Sequence, residues 1–272
     1  MIVDGKKLAE KILVRTKARA EKLPRRPQVV AYAPSDTPAA RSYLKIKQKY
    51  AAEAGCDFRV VTNITEFADA DACIIQLPLP VGISNDILNS IPLEKDADVL
   101  SSVARAQFEA TNLDIRCPSL LPPVVAAIKE IFDANKVEVR GRSAVVIGNG
   151  FLVGAPAATW LKQQGAIVEI IDIPSDSAAV ARATLATADI IVSGAGSSHL
   201  IKPDMIKNGV VLIDAGTSES SGVIVGDADP ACADKCSIFT PVPGGVGPIS
   251  VACLFANAVT LAERVDSSII PT

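Results

Sequence analysis

The chain has little histidine, few aromatic residues and no excess of positive charge. Its 272 residues include one histidine, His199, and only 4% are aromatic. Acid–base chemistry must therefore depend mostly on lysine, tyrosine or carboxylate groups. The formal net charge of −3 provides no basic surplus to neutralise phosphates, so we expect neither a nucleic-acid partner nor binding to an anionic membrane.

The cysteines are scattered and lack the paired C-x-x-C spacing of a zinc site. They are Cys56, Cys73, Cys117, Cys232, Cys236 and Cys253. We therefore expect reduced thiols, a cytoplasmic location and no bound metal. No apolar run reaches the about 20 residues that a membrane span requires. The first helical stretch carries charges throughout, so it is not expected to be a secretory signal.

Apolar runs of strand length alternate with helical patterns in both halves of the chain. Helices are predicted at residues 7–23, 37–55, 84–91, 118–132, 154–164, 176–186 and 250–265. Strands are predicted at residues 28–34, 58–64, 72–80, 143–148, 166–172, 189–196 and 209–216. This alternation predicts an α/β fold with a largely parallel sheet in each half, and a domain boundary near residues 118–123.

A glycine-rich turn follows the apolar run SAVVIG in the second half. Gly148, Gly150 and Gly154 have the spacing G-x-G-x-x-x-G, one residue longer than the common dinucleotide fingerprint. A helical stretch begins just beyond, and the next strand ends at Asp172. Glycines let the backbone approach a pyrophosphate, and a carboxylate at that strand end can accept hydrogen bonds from a ribose. The pattern indicates a dinucleotide site, with glycines that serve only packing as the alternative.

Three further segments are distinctive. SYLKIK (42–47) places Tyr43 and Lys47 four residues apart on one helical face, and IIQLPLP (74–80) places Gln76 at a strand end. TPVPGGVGPIS (240–250) is a rigid proline–glycine run ahead of the last helix. Together these segments resemble the bifunctional methylenetetrahydrofolate dehydrogenase/methenyltetrahydrofolate cyclohydrolase family over almost the whole chain.

This resemblance implies an N-terminal α/β domain at residues 1–120, joined by the C-terminal segment 250–272, and a Rossmann-type domain at residues 121–249. It implies an active-site cleft between the domains, a folate substrate, NAD or NADP as cofactor, and a homodimer. The reaction would oxidise 5,10-methylenetetrahydrofolate and hydrolyse the resulting methenyl compound to 10-formyltetrahydrofolate.

The resemblance also assigns residues to roles. The catalytic set that it implies is Tyr43, Lys47, Gln76 and Asp114. The cofactor-binding set is Gly148, Asn149, Gly150, Gly154, Asp172, Gly194 and Gly196. The substrate-binding set is Tyr43, Asp114, Pro243, Gly244 and Gly245. A lysine with a pKa lowered by burial can exchange protons near neutral pH, a glutamine can orient it, and tyrosine and aspartate can stack on the pterin and accept its hydrogen bonds. Taken singly, each residue also fits an ordinary surface or turn position.

Three segments depart from the family pattern. KDADVLS (95–101) has Val99 where the family has glycine, so we expect a different backbone in that turn. PSLLPP (118–123) replaces P-C-T-P-x-G. GNG (148–150) removes an arginine that can pair with a 2′-phosphate, and Asp172 stands where histidine is common. A carboxylate there favours the ribose diol of NAD and repels the phosphate of NADP, so we expect NAD.

Two other interpretations stay open from the sequence. One is a related two-domain dehydrogenase that acts on amino or hydroxy acids. The other is a folate-divergent or catalytically reduced protein that still binds a dinucleotide, which the altered segments at 95–101 and 118–123 would favour. Retention of Tyr43, Lys47, Gln76 and Asp114 argues against the second.

Overall fold

The computed structural model describes residues 1–110, 120–171, 178–220 and 223–268. The chain divides into two compact units. Unit 1 consists of Met1–Leu8 and Val124–Ser250, and unit 2 of Ala9–Pro123 and Val251–Thr272. The predicted domains assigned residues 1–120 to one body, whereas Met1–Leu8 lies in unit 1. The first residues belong to unit 1 because they pair with the backbone at Phe239. Val3 N donates to Phe239 O at 2.8 Å, and Phe239 N donates to Met1 O at 2.9 Å.

Helices and strands alternate along most of the chain. Over the described residues the α-helices are α1 (Gly5–Ala20), α2 (Pro38–Glu53), α3 (Ser102–Glu109), α4 (Pro123–Asn135), α5 (Gly154–Gln163), α6 (Ala178–Leu185) and α7 (Val246–Ser268). The strands are β1 (Gln28–Tyr32), β2 (Asp57–Val61), β3 (Ala72–Ile75), β4 (Ser143–Ile147), β5 (Ile167–Ile171), β6 (Ile190–Ser193), β7 (Val211–Asp214), β8 (Ser218–Ser220), β9 (Val223–Val225) and β10 (Ile238–Phe239).

Unit 2 contains a three-stranded parallel sheet in the order β2-β1-β3. Its core includes Val30, Cys73 and Ile75, each fully buried. The connection from β2 to β3 crosses β1 with only a 3₁₀ helix at Ile64–Phe67. The predicted strand 72–80 ends at Ile75, because the prolines that follow cannot donate ladder hydrogen bonds.

Unit 1 contains a five-stranded parallel sheet in the order β10-β7-β6-β4-β5. The chain builds β4 and β5 on one side and then returns to place β6 on the other side of β4. The strand order therefore reverses between β4 and β6. In open α/β sheets, ligands bind in the crevice outside the carboxyl ends of the strands at such a reversal. The topology thus selects one edge of this sheet as the candidate site.

The remaining differences from the predicted elements are local. The predicted helix at 84–91 is a 3₁₀ helix at Asn85–Ser90, and the helix predicted from residue 118 begins at Pro123. The short helix α3 and the antiparallel β8–β9 hairpin were not predicted, because neither has a long enough hydrophobic period to register as a pattern.

Helix α7 corrects the expectation that no stretch is long and apolar enough to cross a membrane. Over the described residues, Val246–Asp266 satisfies that test by length and composition. However, 61% of the apolar 18-residue window within it is buried in the protein, and the buried core helix of a soluble protein passes the same test. Length and composition alone are therefore weak support for a membrane span.

Candidate functional site

Two predicted catalytic side chains meet in unit 2. Lys47 Nζ donates a hydrogen bond to Gln76 Oε1 at 2.9 Å. Gln76 is 8% exposed, and its Nε2 donates to Leu77 O at 2.6 Å. The amide is therefore held at both ends, with its oxygen directed at the lysine. This arrangement orients the amine of Lys47.

Local structure on both sides produces this contact. Helix α2 begins after Thr37, whose hydroxyl accepts a hydrogen bond from Ala40 N at 3.2 Å, with Pro38 in the first turn. These are strong helix-start signals, and they fix the register of Lys47 on α2. Gln76 directly follows β3, where its N–H extends the sheet by donating to Tyr32 O at 2.9 Å. A helix and the end of an adjacent strand therefore hold the pair.

The surroundings of this pair change the pKa of Lys47. Burial lowers the pKa of Lys47 below its usual value, and the Asp98 carboxylate opposes that shift. Burial raises the pKa of Asp98, with Lys47 opposing it, Asp96 adding to it and Arg105 opposing it. Burial likewise lowers the pKa of Arg105. A lysine whose neutral form is stabilised in this way can accept and return a proton at working pH.

Asp98 lies in a tight turn that Asp96 closes. The Asp96 carboxylate, 1% exposed, accepts hydrogen bonds from Leu100 N (3.1 and 3.0 Å) and Ser101 N (2.8 Å). These bonds close the turn around Asp98. Asp96 also forms an isolated bridge with Cys73 of β3, which places the turn beside the strand that leads to Gln76.

The backbone at Val99 in this turn differs from the sequence-based expectation. We expected valine to force a backbone different from that of a glycine. Instead Val99 has φ 55°, in the left-handed region that glycine adopts freely and that β-branched residues rarely occupy. The turn is held from α7 as well, because Asn257 Nδ2 donates to Ala97 O and to Leu121 O, both at 2.9 Å.

The other two predicted catalytic residues are placed differently. Tyr43 lies one helical turn before Lys47 on α2, and 47% of its surface is exposed. Its ring is therefore accessible for stacking. Asp114 lies outside the described residues, so its role stays a prediction.

The predicted cofactor glycines gather at the β4/β6 edge of unit 1. Gly148, with φ 82°, follows β4, and a Cβ on Gly154 would lie 1.8 Å from Gly148 O. The turn therefore folds back on itself so closely that only glycine fits at Gly154. At Gly150 a Cβ would meet nothing within 4 Å. No side chain caps the start of α5. Ala155 N already donates to Gly150 O at 3.1 Å and Pro156 has no N–H, so Gly154 N is the remaining first-turn N–H that can face an anion.

The loop after β6 forms the neighbouring wall of this edge. A Cβ on Gly148 would lie 3.1 Å from Gly194 O, and a Cβ on Gly194 would lie 2.4 Å from Val153 Cγ1. Gly196 has φ 65°. The structure thus brings Gly194 together with the glycine turn that contains Asn149, whereas a Cβ on Gly196 would lie 3.6 Å from Thr217 O. Asp172 follows β5 in the sequence and lies outside the described residues.

The proline–glycine run lies in unit 1 against the start of the chain. Gly5 N donates to Gly244 O at 3.0 Å, and a Cβ on Gly5 would lie 1.9 Å from Gly245 O. Gly244 has φ 104°, and Pro243 precedes it. This close packing fixes the run just before α7 begins at Val246.

Comparison with known proteins gives the site its context. A family profile described as tetrahydrofolate dehydrogenase/cyclohydrolase, NAD(P)-binding domain, matches residues 122–266. The bifunctional protein FolD of Hydrogenobaculum sp. (strain Y04AAS1) is 32% identical over 276 residues, which cover 95% of this chain and 97% of that protein. The chain belongs to the tetrahydrofolate dehydrogenase/cyclohydrolase family.

Solved structures agree with this family membership. The bifunctional FolD methylenetetrahydrofolate dehydrogenase/cyclohydrolase from Campylobacter jejuni has a TM-score of 0.90 and 30% identity, over 97% of this chain and 99% of that one. The FolD enzyme from Trypanosoma brucei, complexed with NADP and an inhibitor, has a TM-score of 0.91 and 28% identity, over 98% of both chains. The resemblance predicted from the sequence is confirmed, and an amino- or hydroxy-acid dehydrogenase is no longer an open alternative.

In this family member, two acidic side chains were not assigned roles from the sequence: Asp98, and the buried Asp227. Asp98 was noted only as part of an altered segment, and Asp227 was not singled out. Asp98 lies 51 positions after Lys47 in the chain, and no local spacing relates the two. His199, the single histidine, has φ 51° and donates its backbone N–H to Gly226 O at 3.1 Å.

Proposed function

We propose that this protein oxidises 5,10-methylenetetrahydrofolate to 5,10-methenyltetrahydrofolate with a nicotinamide dinucleotide, and hydrolyses that product to 10-formyltetrahydrofolate. The observation that carries the proposal is the Lys47–Gln76 hydrogen bond in a chain of this family. Hydrolysis requires water to attack the methenyl carbon and a proton to move as the ring opens. An oriented amine whose pKa is lowered by burial suits that transfer.

The other predicted residues would orient Lys47 and bind the pterin. Gln76 holds the Lys47 amine in one orientation, so that its lone pair or proton is presented in a fixed direction. Tyr43 offers an exposed ring on the same face of α2, on which a flat pterin can stack. Asp114, as the family resemblance implies, accepts hydrogen bonds from the pterin's amino-pyrimidine edge.

The residues at the β4/β6 edge fit a dinucleotide. The tight turn that requires glycine at 154, the open space at Gly150 and the lack of a side-chain cap on α5 together suit a pyrophosphate that approaches the backbone closely. Gly148, Asn149, Gly150, Gly154, Gly194 and Gly196 would hold the cofactor. When bound, the dinucleotide supplies the ring that accepts hydride from the one-carbon unit.

We propose further that NAD is preferred over NADP. The supporting observations are the GNG sequence at 148–150, which lacks an arginine, and the carboxylate of Asp172 directly after β5. A 2′-phosphate carries roughly −1.5 to −2 charges. Unit charges ~4 Å apart repel by about 4 kcal/mol at an effective dielectric of about 20, and a surviving penalty of ~1.4 kcal/mol already corresponds to a tenfold preference. The NADP complex of the trypanosomal relative shows that a relative binds the other cofactor.

One spectroscopic assay tests both proposals. Purified protein is given methylenetetrahydrofolate with NAD or with NADP, and separately methenyltetrahydrofolate with no dinucleotide. We expect oxidation in the first assay, with a larger kcat/KM for NAD, and hydrolysis in the second. The variant Asn149→Arg combined with Asp172→Ser should shift the preference towards NADP. A wild-type preference for NADP would overturn the cofactor proposal, and absence of both reactions would overturn the proposed function.

A further inference from the structure

Asp227 is a buried carboxylate that none of the steps above uses. Its exposed fraction is 0%, and it follows the β8–β9 hairpin. Its Oδ2 accepts hydrogen bonds from Ser193 Oγ at 2.6 Å and from Ala195 N at 2.8 Å, while its Oδ1 accepts one from Ser197 N at 2.8 Å. A buried charge is tolerated when it accepts several such bonds, each stronger than a neutral pair.

These donors belong to the end of β6 and to the loop after it, which lines the dinucleotide edge. Ser193 ends β6, and Ala195 and Ser197 alternate with Gly194 and Gly196. The loop packs against the glycine turn, since Gly148 would place a Cβ 3.2 Å from Ala195 N. Residue Ser197 is itself exposed, yet its N–H is directed inwards to the carboxylate. One side chain therefore sets the path of the whole loop.

The segment around Asp227 is itself anchored. Its main chain continues the contact with this loop, because Ile201 N donates to Asp227 O at 2.9 Å. On the β7 side, Asp214 accepts hydrogen bonds from Gly216 N at 3.0 Å and Ala228 N at 2.8 Å. A Cβ on Gly216 would lie 2.1 Å from the Asp227 carboxyl group. Segments after β6, β7 and β9 thus converge on one carboxylate, which leaves it little freedom to move.

We infer that Asp227 is a positioning residue for the dinucleotide. It holds residues 194–197 in the binding conformation through two backbone hydrogen bonds, from Ala195 N and Ser197 N, and through a third from the Ser193 hydroxyl at the end of β6. The inference rests on the proposed function insofar as that function places a dinucleotide at the β4/β6 edge. A loop ordered in advance costs less to immobilise when the cofactor binds, so Asp227 contributes to affinity without touching the cofactor.

The variant Asp227→Asn tests this role. Whichever way the amide is turned, its NH₂ group replaces one acceptor oxygen and faces the N–H of Ala195 or Ser197. We expect the Kd for the dinucleotide, measured directly by titration with NAD and with NADP, to rise about tenfold or more. In the dehydrogenase assay KM for the dinucleotide should rise more than kcat falls. Hydrolysis of methenyltetrahydrofolate without dinucleotide should be unchanged, because it depends on Lys47 and Gln76.

Asp189→Asn is the matched control at the opposite end of the same strand. Asp189 precedes β6, and its carboxylate accepts hydrogen bonds from Ser143 N at 3.0 Å and Lys207 Nζ at 2.6 Å. This variant should lower the melting temperature while leaving the dinucleotide Kd unchanged. A wild-type Kd in folded Asp227→Asn would overturn the inference. An equal loss of affinity in both variants would also overturn it, since general destabilisation would then explain the effect.

Hydrogen exchange on the wild-type protein keeps the test independent of whether the variant folds. The amides of Ala195 and Ser197 should exchange slowly in the ligand-free protein, although Ser197 is exposed. Fast exchange at both amides would show that the carboxylate does not hold the loop. A wild-type protein that binds dinucleotide but leaves folate unchanged would overturn the proposed function alone.

Discussion

The two candidate sites differ in whether side chains or backbone groups provide their function. In unit 2 the proposed chemistry depends on side chains: Lys47, Gln76 and Asp98 come from a helix, a strand end and a turn. In unit 1 the dinucleotide edge depends on backbone groups, and its glycines matter because they have no side chain. The first site should therefore lose chemistry when a functional group is removed. The second should lose binding when an atom is added.

The largest effect is expected when the amine of Lys47 is removed. Lys47→Met keeps the length and apolar stem of the side chain but cannot exchange a proton. The rate of methenyltetrahydrofolate hydrolysis should fall by about 10²–10⁴-fold, the usual contribution of general acid–base catalysis. Dinucleotide binding should be retained, which titration would show.

Lys49→Met is the matched control on the same helix. Lys49 is exposed and pairs only loosely with Glu53, at 3.7 Å, so hydrolysis should stay near the wild-type rate. Hydrolysis at a near wild-type rate in Lys47→Met would contradict the assignment of the proton-transfer role.

Adding one methyl group at the glycine turn is expected to have the next largest effect. In Gly154→Ala the new Cβ would collide with Gly148 O, so the turn or the start of α5 must shift. Such overpacking costs about 1–3 kcal/mol of stability, and the dinucleotide Kd should rise together with it. Urea unfolding and cofactor titration measure the two effects.

Gly150→Ala sharpens this comparison within the same turn. Because a Cβ there meets nothing within 4 Å, stability should change by less than about 0.5 kcal/mol. The dinucleotide should nevertheless bind more weakly if its pyrophosphate approaches at this position. Equal loss of stability in the two variants would mean that packing does not distinguish these glycines.

A smaller effect is expected on the pH dependence of hydrolysis. Because burial lowers the pKa of Lys47 and the Asp98 carboxylate partly restores it, Asp98→Asn should lower that pKa further. The neutral amine then forms at lower pH, so the rising limb of the kcat profile should move to lower pH. An inflection that moves upwards would show that Asp98 does not act on Lys47 through its charge.

At Val99 two opposing contributions to stability should nearly cancel. Val99→Gly removes a buried side chain, 2% exposed, which costs about 1.5–3 kcal/mol, but it also relieves about 1–2 kcal/mol of left-handed backbone strain. The net change in the free energy of unfolding should be about 1 kcal/mol. Val29→Gly, at an equally buried position in β1, relieves no strain and should cost several times more. Similar losses in the two variants would mean that the left-handed backbone of Val99 carries little strain.

Much of the fold follows from local patterns. The alternation of strands and helices predicted two parallel sheets, and both are observed. The start of α2 at Thr37 and Pro38 could be predicted from the sequence, and so could the glycine turn before α5. Helix capping and left-handed backbone conformations restrict the residue type within a few positions. The motifs around Lys47, Gln76 and the proline–glycine run led to the family, which the comparisons confirmed.

Tertiary structure alone decided which groups act on these motifs. Asp98 affects Lys47, and Asp227 holds the loop at Gly194, although sequence separations of 51 and 33 positions leave no local pattern. The reversal of strand order between β4 and β6, which selects the dinucleotide edge, depends on how strands pair and not on their composition. The sequence by itself determined the periodic elements and the residues with chemistry, because those depend on local backbone and side-chain preferences. Burial, charge proximity and long-range hydrogen bonds exist only once the chain is folded. Only the folded structure therefore decided how those residues are oriented and how their pKa values are shifted.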